Sequence, residues 1–180
     1  MRMMCRTTSI VVALTMAASL PWTAVPLRAA QAPRLKVLVV HGPNLNLLGR
    51  REPQIYGTTT LDQINARLGD LAKEIDVDLI TMQSNSEGTI VDAFQKHIDD
   101  VNGALINGAG LSFSSVSIHD VIKAMPFPVV EVHMSNIAAR EEWRSHSIIS
   151  PAVKGTIQGL GVQSYLLGLR GIVALARAAP

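Results

Sequence analysis

Disulfides have almost nothing to work with in this sequence. Its one cysteine, Cys5, precedes the first apolar run. Everything downstream must therefore be held together by a hydrophobic core rather than by cross-links. A lipid-anchoring cysteine would follow the apolar run, so that attachment is disfavoured as well. Metal signatures are missing too: there is no HExxH, no clustered Cys/His set and no acidic quartet, so neither metal nor other cofactor is expected. Gly159-Leu160-Gly161 is a fragment of a dinucleotide fingerprint that lacks the third glycine and the acidic partner. Excess positive charge is the last absence. Of the 16 Lys and Arg residues, Arg2, Arg6 and Arg28 lie in the N-terminal stretch, leaving 13 against 14 Asp and Glu. The sequence pI of about 8.9 belongs to that stretch, and no basic face for nucleic acid remains.

What is present begins with a leader. Arg2 and Arg6 precede the apolar stretch Ile10 to Leu20, and an Ala-rich segment follows. This order is that of a secretory signal, expected over residues 1–32 with the cut near Ala30-Gln31-Ala32 or Leu27-Arg28-Ala29. Pro33 directly after the first of these sites hinders cleavage there. A retained anchor is the other reading, because the uncharged run from Thr7 to Leu27 approaches spanning length, although Pro21 and Pro26 weaken it. Export, periplasmic or secreted and with no membrane association after cleavage, is the expectation. Residues 33–180 then form a single domain, long enough for one core.

That domain alternates short β-branched runs with helical periodicity. Strands are expected over Lys36–Val40, Val77–Met82, Ala104–Asn107, Val129–His133 and Thr156–Gln158. Leu61, Ile64, Leu68, Leu71 and Ile75 recur at helical spacing behind Thr60, a suitable N-cap. Ile90, Val91, Phe94 and Ile98 form a second stripe, opened by Ser86-Glu87. A third helix is expected over Val116 to Ala124, stopped by Pro126, and a last one over Tyr165 to Ala176. Continuously apolar strands alternating with helices imply an α/β fold, a parallel sheet with helices on both faces. Ligands bind such sheets outside the carboxyl ends of the strands. The residues there are His41-Gly42-Pro43-Asn44, Gln83-Ser84-Asn85-Ser86, Asn107-Gly108-Ala109-Gly110 and His133-Met134-Ser135-Asn136. Nearly all are polar or glycine, and no structural need requires that at four separate ends.

The loop GPNLNLLGRREPQIYG, residues 42–57, carries Arg50, Arg51 and Tyr56 on a Gly- and Pro-rich backbone. Alone it reads as a surface loop with two solvated arginines and a half-buried tyrosine before it reads as a site. Glu131 and His133 stand two apart on one strand and share a face, either as a catalytic pair or as a satisfied strand-end histidine. Free N–H groups around Met134-Ser135-Asn136 suit a carboxylate. Arg140 and Arg144, four apart, are expected on one helical face, free for a ligand or paired with Glu141 and Glu142. Asn107 either orients a ligand or shapes a turn. Tyr56 is a poor base as a phenol with a reference pKa of about 10, but guanidinium charge favours its phenolate. These parts fit one reaction class. A phenolate takes a proton next to a carbonyl, a polar group holds the enolate, and an imidazolium protonates a departing hydroxyl.

The same residues carry a resemblance. The stretches GPNLNLLGRREPQIYG, QSNSEG, ALINGAG, EVHMSN with AREEWR behind it, RSHSIISP and GTIQGLGVQSYLLGL are similar, in order and spacing, to type II 3-dehydroquinate dehydratases, from about Leu35 to Leu175. The resemblance implies a flavodoxin-like, doubly wound parallel sheet of five strands, assembled as a dodecamer of trimers. It implies anti elimination of water from 3-dehydroquinate to 3-dehydroshikimate through an enolate, without metal or covalent intermediate. Tyr56 is then the base, with Arg51 on a mobile loop favouring its ionised form and closing over substrate. Asn44 holds the water that stabilises the enolate. His133 is the acid, with Glu131 beside it. Asn107, Ser135 and the Met134 backbone take the carboxylate and the C1 hydroxyl region, Arg144 binds ring hydroxyls, and Arg140 supports the loop and the base. Asp120 acts from a neighbouring subunit.

Two positions in NGAGLSFSSVSIHD depart from that pattern. The family normally has histidine where this chain has Phe113, and arginine where it has His119. Phenylalanine makes no hydrogen bond to a ring hydroxyl, and a buried hydroxyl left unpaired costs roughly 1–3 kcal/mol. The departure opens two further readings: a paralogue dehydrating a related cyclic hydroxy acid, or a non-catalytic protein that keeps the carboxylate site.

Overall fold

The computed structural model describes residues 34–178; the expected leader, residues 1–32, lies outside them. Five parallel strands, β1 (Leu35–His41), β2 (Val77–Gln83), β3 (Gly103–Asn107), β4 (Val129–His133) and β5 (Gly155–Gln158), form one sheet in the order β2-β1-β3-β4-β5. This is the flavodoxin-like order, with its direction reversal between β1 and β3. A one-turn helix α1 (Pro53–Tyr56) follows β1. The longer helices are α2 (Leu61–Glu74), α3 (Glu87–Lys96), α4 (Val116–Ala124) and α5 (Val162–Ala178).

Successive side chains of a strand point to opposite faces, and β1 uses both. Val37 and Val39 pack with Ile64 and Leu68 of α2 and Leu169 and Ile172 of α5. Leu38 and Val40 pack with Ile90 and Phe94 of α3 and Ile118 and Ile122 of α4. All four β1 residues are wholly buried, as a continuous apolar run between two helical layers requires. Helix starts obey local chemistry. Thr60 caps α2 in a reciprocal box, its Oγ1 accepting from the Gln63 N–H at 3.3 Å and its own N–H donating to Gln63 Oε1 at 3.0 Å. Ser86 and Ser115 cap α3 and α4 by accepting from Thr89 N–H and Ile118 N–H.

The last helix starts three residues before the expected Tyr165. Its apolar stripe begins at Tyr165, but Gly161 takes a φ of +57° and Ser164 Oγ accepts the Leu160 N–H at 3.2 Å, which closes the first turn earlier. The segment holding Arg140 and Arg144 is a larger departure. It is two separate 3-10 turns, Ile137–Ala139 and Glu142–Arg144, with Arg140 extended between them. The two arginines therefore share no helical face, because Asn136 caps a turn too short to propagate.

One close approach sets the width of the sheet's upper rim. The Gly42 N–H donates to the Asn107 carbonyl at 2.8 Å, and a Cβ on Gly42 would stand 2.5 Å from the Gly108 carbonyl oxygen. Backbone cannot yield there as a side-chain tip can. Gly42→Ala should therefore lower stability by about 1–3 kcal/mol, read as a reduced midpoint in chemical denaturation. Gly69→Ala, in open space within α2, should instead add about 0.5–1 kcal/mol.

Candidate active site

A cleft opens at the carboxyl ends of β1, β3 and β4. It is lined by Asn44, Arg51, Tyr56, Asn107, Phe113, His133, Met134, Ser135, Arg140 and Arg144, with Leu45, Leu48 and Ile137 as apolar wall. Ten residues singled out in the sequence thus meet in one place, and Glu131 stands directly behind His133. Asp120 does not join them. It is exposed on α4, its Oδ1 2.9 Å from His119 Nδ1. His119 is turned to that carboxylate and is not part of the cleft wall beside Phe113.

The first wall is the loop after β1. Asn44 adopts a left-handed conformation with φ +64°, and its N–H donates to Asn85 Oδ1 at 2.9 Å. Gln83 Nε2 ties the same lip down by donating to the Gly42 carbonyl and to Asn85 Oδ1. The QSNSEG stretch is thus the support of the lip. Further along, α1 presents Tyr56 to two guanidinium groups. Arg140 Nη1 donates to Tyr56 Oη at 3.2 Å and to Ser135 Oγ at 3.4 Å. Arg51 lies over the Tyr56 ring, 5.1 Å from Cζ to centroid. The Arg51 guanidinium also grips Glu52 at 2.8 Å, and this bond holds the Glu52 carboxyl below the ordinary carboxylate range. The hydrogen bond to Tyr56, with its charge, raises Arg140 further still. Among the described residues Arg140 Nη2 is buried without a partner, and Arg144 stacks on Trp143 at 4.3 Å.

The opposite wall is built on β4. His133 Nε2 meets Glu131 Oε1 at 2.8 Å, which leaves Nδ1 for the cleft. Glu131 is wholly buried, and burial alone pushes its carboxyl up. Bonds and charge from His133, with bonds from Ser150 and Ser147, outweigh that and bring it below the ordinary range. Ser147 Oγ donates to Oε1 at 2.7 Å and Ser150 Oγ to Oε2 at 2.5 Å. Phe113 lies beside His133, ring centroids 6.0 Å apart and 25° between planes, so an apolar ring flanks the imidazole.

Sequence reasoning passed over the supports. Ser147 and Ser150 sit in RSHSIISP, 16 and 19 residues from Glu131, and nothing local in that stretch points to the acid. His41 and Tyr165 were also given no role. Tyr165 Oη lies 3.1 Å from His41 Nδ1 and accepts from Asn107 Nδ2 at 2.9 Å, while His41 Nε2 meets Asn65 Oδ1 at 2.9 Å.

The dehydroquinase class II family model matches residues 35–173. The chain belongs to the class II dehydroquinase family. A 3-dehydroquinate dehydratase from Nostoc sp. is 51% identical over 140 residues, covering 78% of this chain and 95% of that protein. One from Pelotomaculum thermopropionicum is 45% identical, covering 79% and 99%. Among solved structures, a type II dehydroquinase from Butyrivibrio crossotus superposes with a TM-score of 0.77 at 32% identity, covering 78% of this chain and 98% of its own. Another from Propionibacterium acnes gives 0.74 at 43% identity, covering 81% and 99%. As a class II dehydroquinase the chain is an enzyme, a hydro-lyase, on a flavodoxin-like sheet.

Buried His41 gives this dehydroquinase an acid-sensitive point. Burial lowers its pKa from 6.5 to about 4, against a smaller opposing effect of the Asn65 bond. Below pH 6.5 the unfolded chain binds the proton first, so the His41 contribution to stability should fall from pH 6.5 to about 4 and then level off, with the lowered Glu131 carboxyl carrying the loss further beneath. The separation is worth about 3 kcal/mol. Urea denaturation across that range should show the loss, and His41→Asn should flatten it.

Proposed function

We propose that the enzyme removes water from 3-dehydroquinate to give 3-dehydroshikimate, with Tyr56 as base and His133 as acid. The observation that carries this is the pairing of opposite charge with opposite tasks in one cleft. Tyr56 Oη is held by the Arg140 guanidinium at 3.2 Å, and His133 is held by the buried Glu131 carboxylate at 2.8 Å. A cation beside a phenol favours the phenolate, and an anion behind an imidazole balances the imidazolium. The tyrosinate takes the proton next to the carbonyl, and the electron pair moves onto the oxygen as an enolate. Asn44 and a water it holds stabilise that oxygen. Collapse of the enolate expels the C1 hydroxyl, and the His133 proton leaves with it as water. Asn107, Ser135 and the Met134 N–H receive the carboxylate. Arg144 takes ring hydroxyls, and Arg51 closes the loop over the substrate.

The relatives named above as 3-dehydroquinate dehydratases support the substrate. The motif resemblance also implies assembly into a dodecamer of trimers, in which Asp120 reaches a neighbour's cleft, and the expected leader over residues 1–32 would make the protein an exported enzyme. With 3-dehydroquinate, absorbance of the conjugated enone product should rise. Tyr56→Phe should lower kcat by about a thousandfold or more with KM little changed, in keeping with the loss of a general base. Absence of a rise with folded wild type would reject the reading.

A second reading rests on Phe113. Its ring against His133 lines the cleft with carbon where a polar partner for a ring hydroxyl would stand, which suits a less hydroxylated cyclic acid. Phe113→His separates the two. On the dehydroquinate reading it should raise kcat/KM by roughly tenfold to a hundredfold through a regained hydrogen bond. On the second it should also cost activity toward the less hydroxylated ring, and a fall on both substrates leaves that second reading without support.

A further inference from the structure

Behind the cleft a buried polar chain runs to Asn107 through side chains that the proposed elimination does not use. It links β3, α5, β1 and α2 through Asn107, Tyr165, His41 and Asn65. Tyr165 is wholly buried, and His41 and Asn107 nearly so. Three polar side chains in such a place are costly unless every group is satisfied.

The chain has one consistent direction. Asn65 Oδ1 only accepts, so His41 Nε2 carries the proton and Nδ1 of the neutral ring is a bare acceptor. Tyr165 must then donate its O–H to Nδ1, which leaves its oxygen to accept from Asn107 Nδ2. At the far end the Ala109 N–H donates to Asn107 Oδ1 at 3.1 Å. A flipped Asn107 amide would set N–H against N–H at Ala109 and leave His41 Nδ1 without a donor. Burial pushes the Tyr165 phenol up more than its Asn107 bond lowers it, so its proton stays in place to be donated. With both inner contacts of Asn107 taken, its second N–H is the one left on the cleft side.

We infer that Tyr165 and His41 are positioning residues that hold the Asn107 amide in the one orientation presenting an N–H to the substrate carboxylate. This rests on the dehydratase reading above. Neither residue touches the cleft, so the effect passes entirely through Asn107.

The carboxylate is bound alike in ground and transition states, so the loss should appear in KM. Tyr165→Phe keeps the ring packing and removes only the hydroxyl. With 3-dehydroquinate it should raise KM about fivefold to fiftyfold while kcat stays within about twofold. His41→Leu should behave likewise. His41→Asn places an amide oxygen near the Nδ1 position and should bring KM back toward wild type, since half-exposed Asn65 can turn to water. In an Asn107→Ala background, Tyr165→Phe should add nothing further. Wild-type protein without turnover overturns the dehydratase reading and this inference with it. Wild-type turnover with an unchanged KM in Tyr165→Phe overturns the inference alone. So does additivity with Asn107→Ala, or an Asn variant at 41 as weak as the Leu variant, because either assigns the effect to packing.

Discussion

The cleft depends on the pairing of β1 with β3, which sets His41 opposite Asn107 at the sheet's upper edge. Strand order reverses between these two strands, so the connections leaving them run to opposite sides of the sheet and leave a crevice. The loop from β1 goes toward α2 and brings Asn44, Arg51 and Tyr56. The turn from β3 goes toward α4 and brings Phe113. Gly42 lies so close to Gly108 that the two loops share one rim. A slip of one residue in that register would turn Asn107 away from the cleft, because alternate strand residues face opposite ways.

Two buried polar supports make the rim rigid in different ways. On β4, Glu131 is a carboxylate removed from water and kept ionised by three donors. Removing one partner of such a cluster is costly because the charge is left behind. On β1 and β3, the His41–Tyr165–Asn107 chain is neutral. It depends on directed hydrogen bonds rather than charge, and so fixes amide orientation without fixing a field. The acid of the proposed reaction is thus backed by charge, and the carboxylate-binding amide by geometry. That division matches their tasks, since a proton donor must change charge and a binding amide must not.

Most of the scaffold was legible because burial on both faces leaves a plain signature. Val37 to Val40 are apolar without alternation, and Ile64, Leu68 and Leu71 repeat at helical spacing. Caps at Thr60 and Ser86 are local chemistry and were readable from neighbours in sequence. The residues lining the cleft were legible from their places at strand ends and from the family likeness. The supports were not. Ser147 and Ser150 reach Glu131 from 16 and 19 residues away, and Tyr165 reaches Asn107 from 58. Tyr165 also falls on the apolar stripe of α5, where its ring explains its presence and hides the use of its hydroxyl. Arg140 and Arg144 misled for a related reason. Spacing of four suggests a helix, but two 3-10 turns place both at the cleft by a route that periodicity does not encode.

The electrostatic arrangement also gives the proposed reaction its direction. Guanidinium groups stand at Tyr56, and a carboxylate stands behind His133. Exchanging the roles would ask the imidazole to take a proton while the tyrosine gave one up. Before the reaction the site would then hold a neutral phenol and a neutral imidazole, leaving the guanidinium groups and the Glu131 carboxylate with no opposite charge to stabilise. His133 as acid avoids that mismatch, because an imidazolium backed by Glu131 returns to a neutral ring when its proton is spent. Phe113 sharpens the arrangement from the other side. A phenyl ring beside His133 adds no competing acceptor, and with Nε2 held by Glu131 the proton has Nδ1 as its outlet. The same ring that withholds a hydrogen bond from the substrate therefore takes none from the acid.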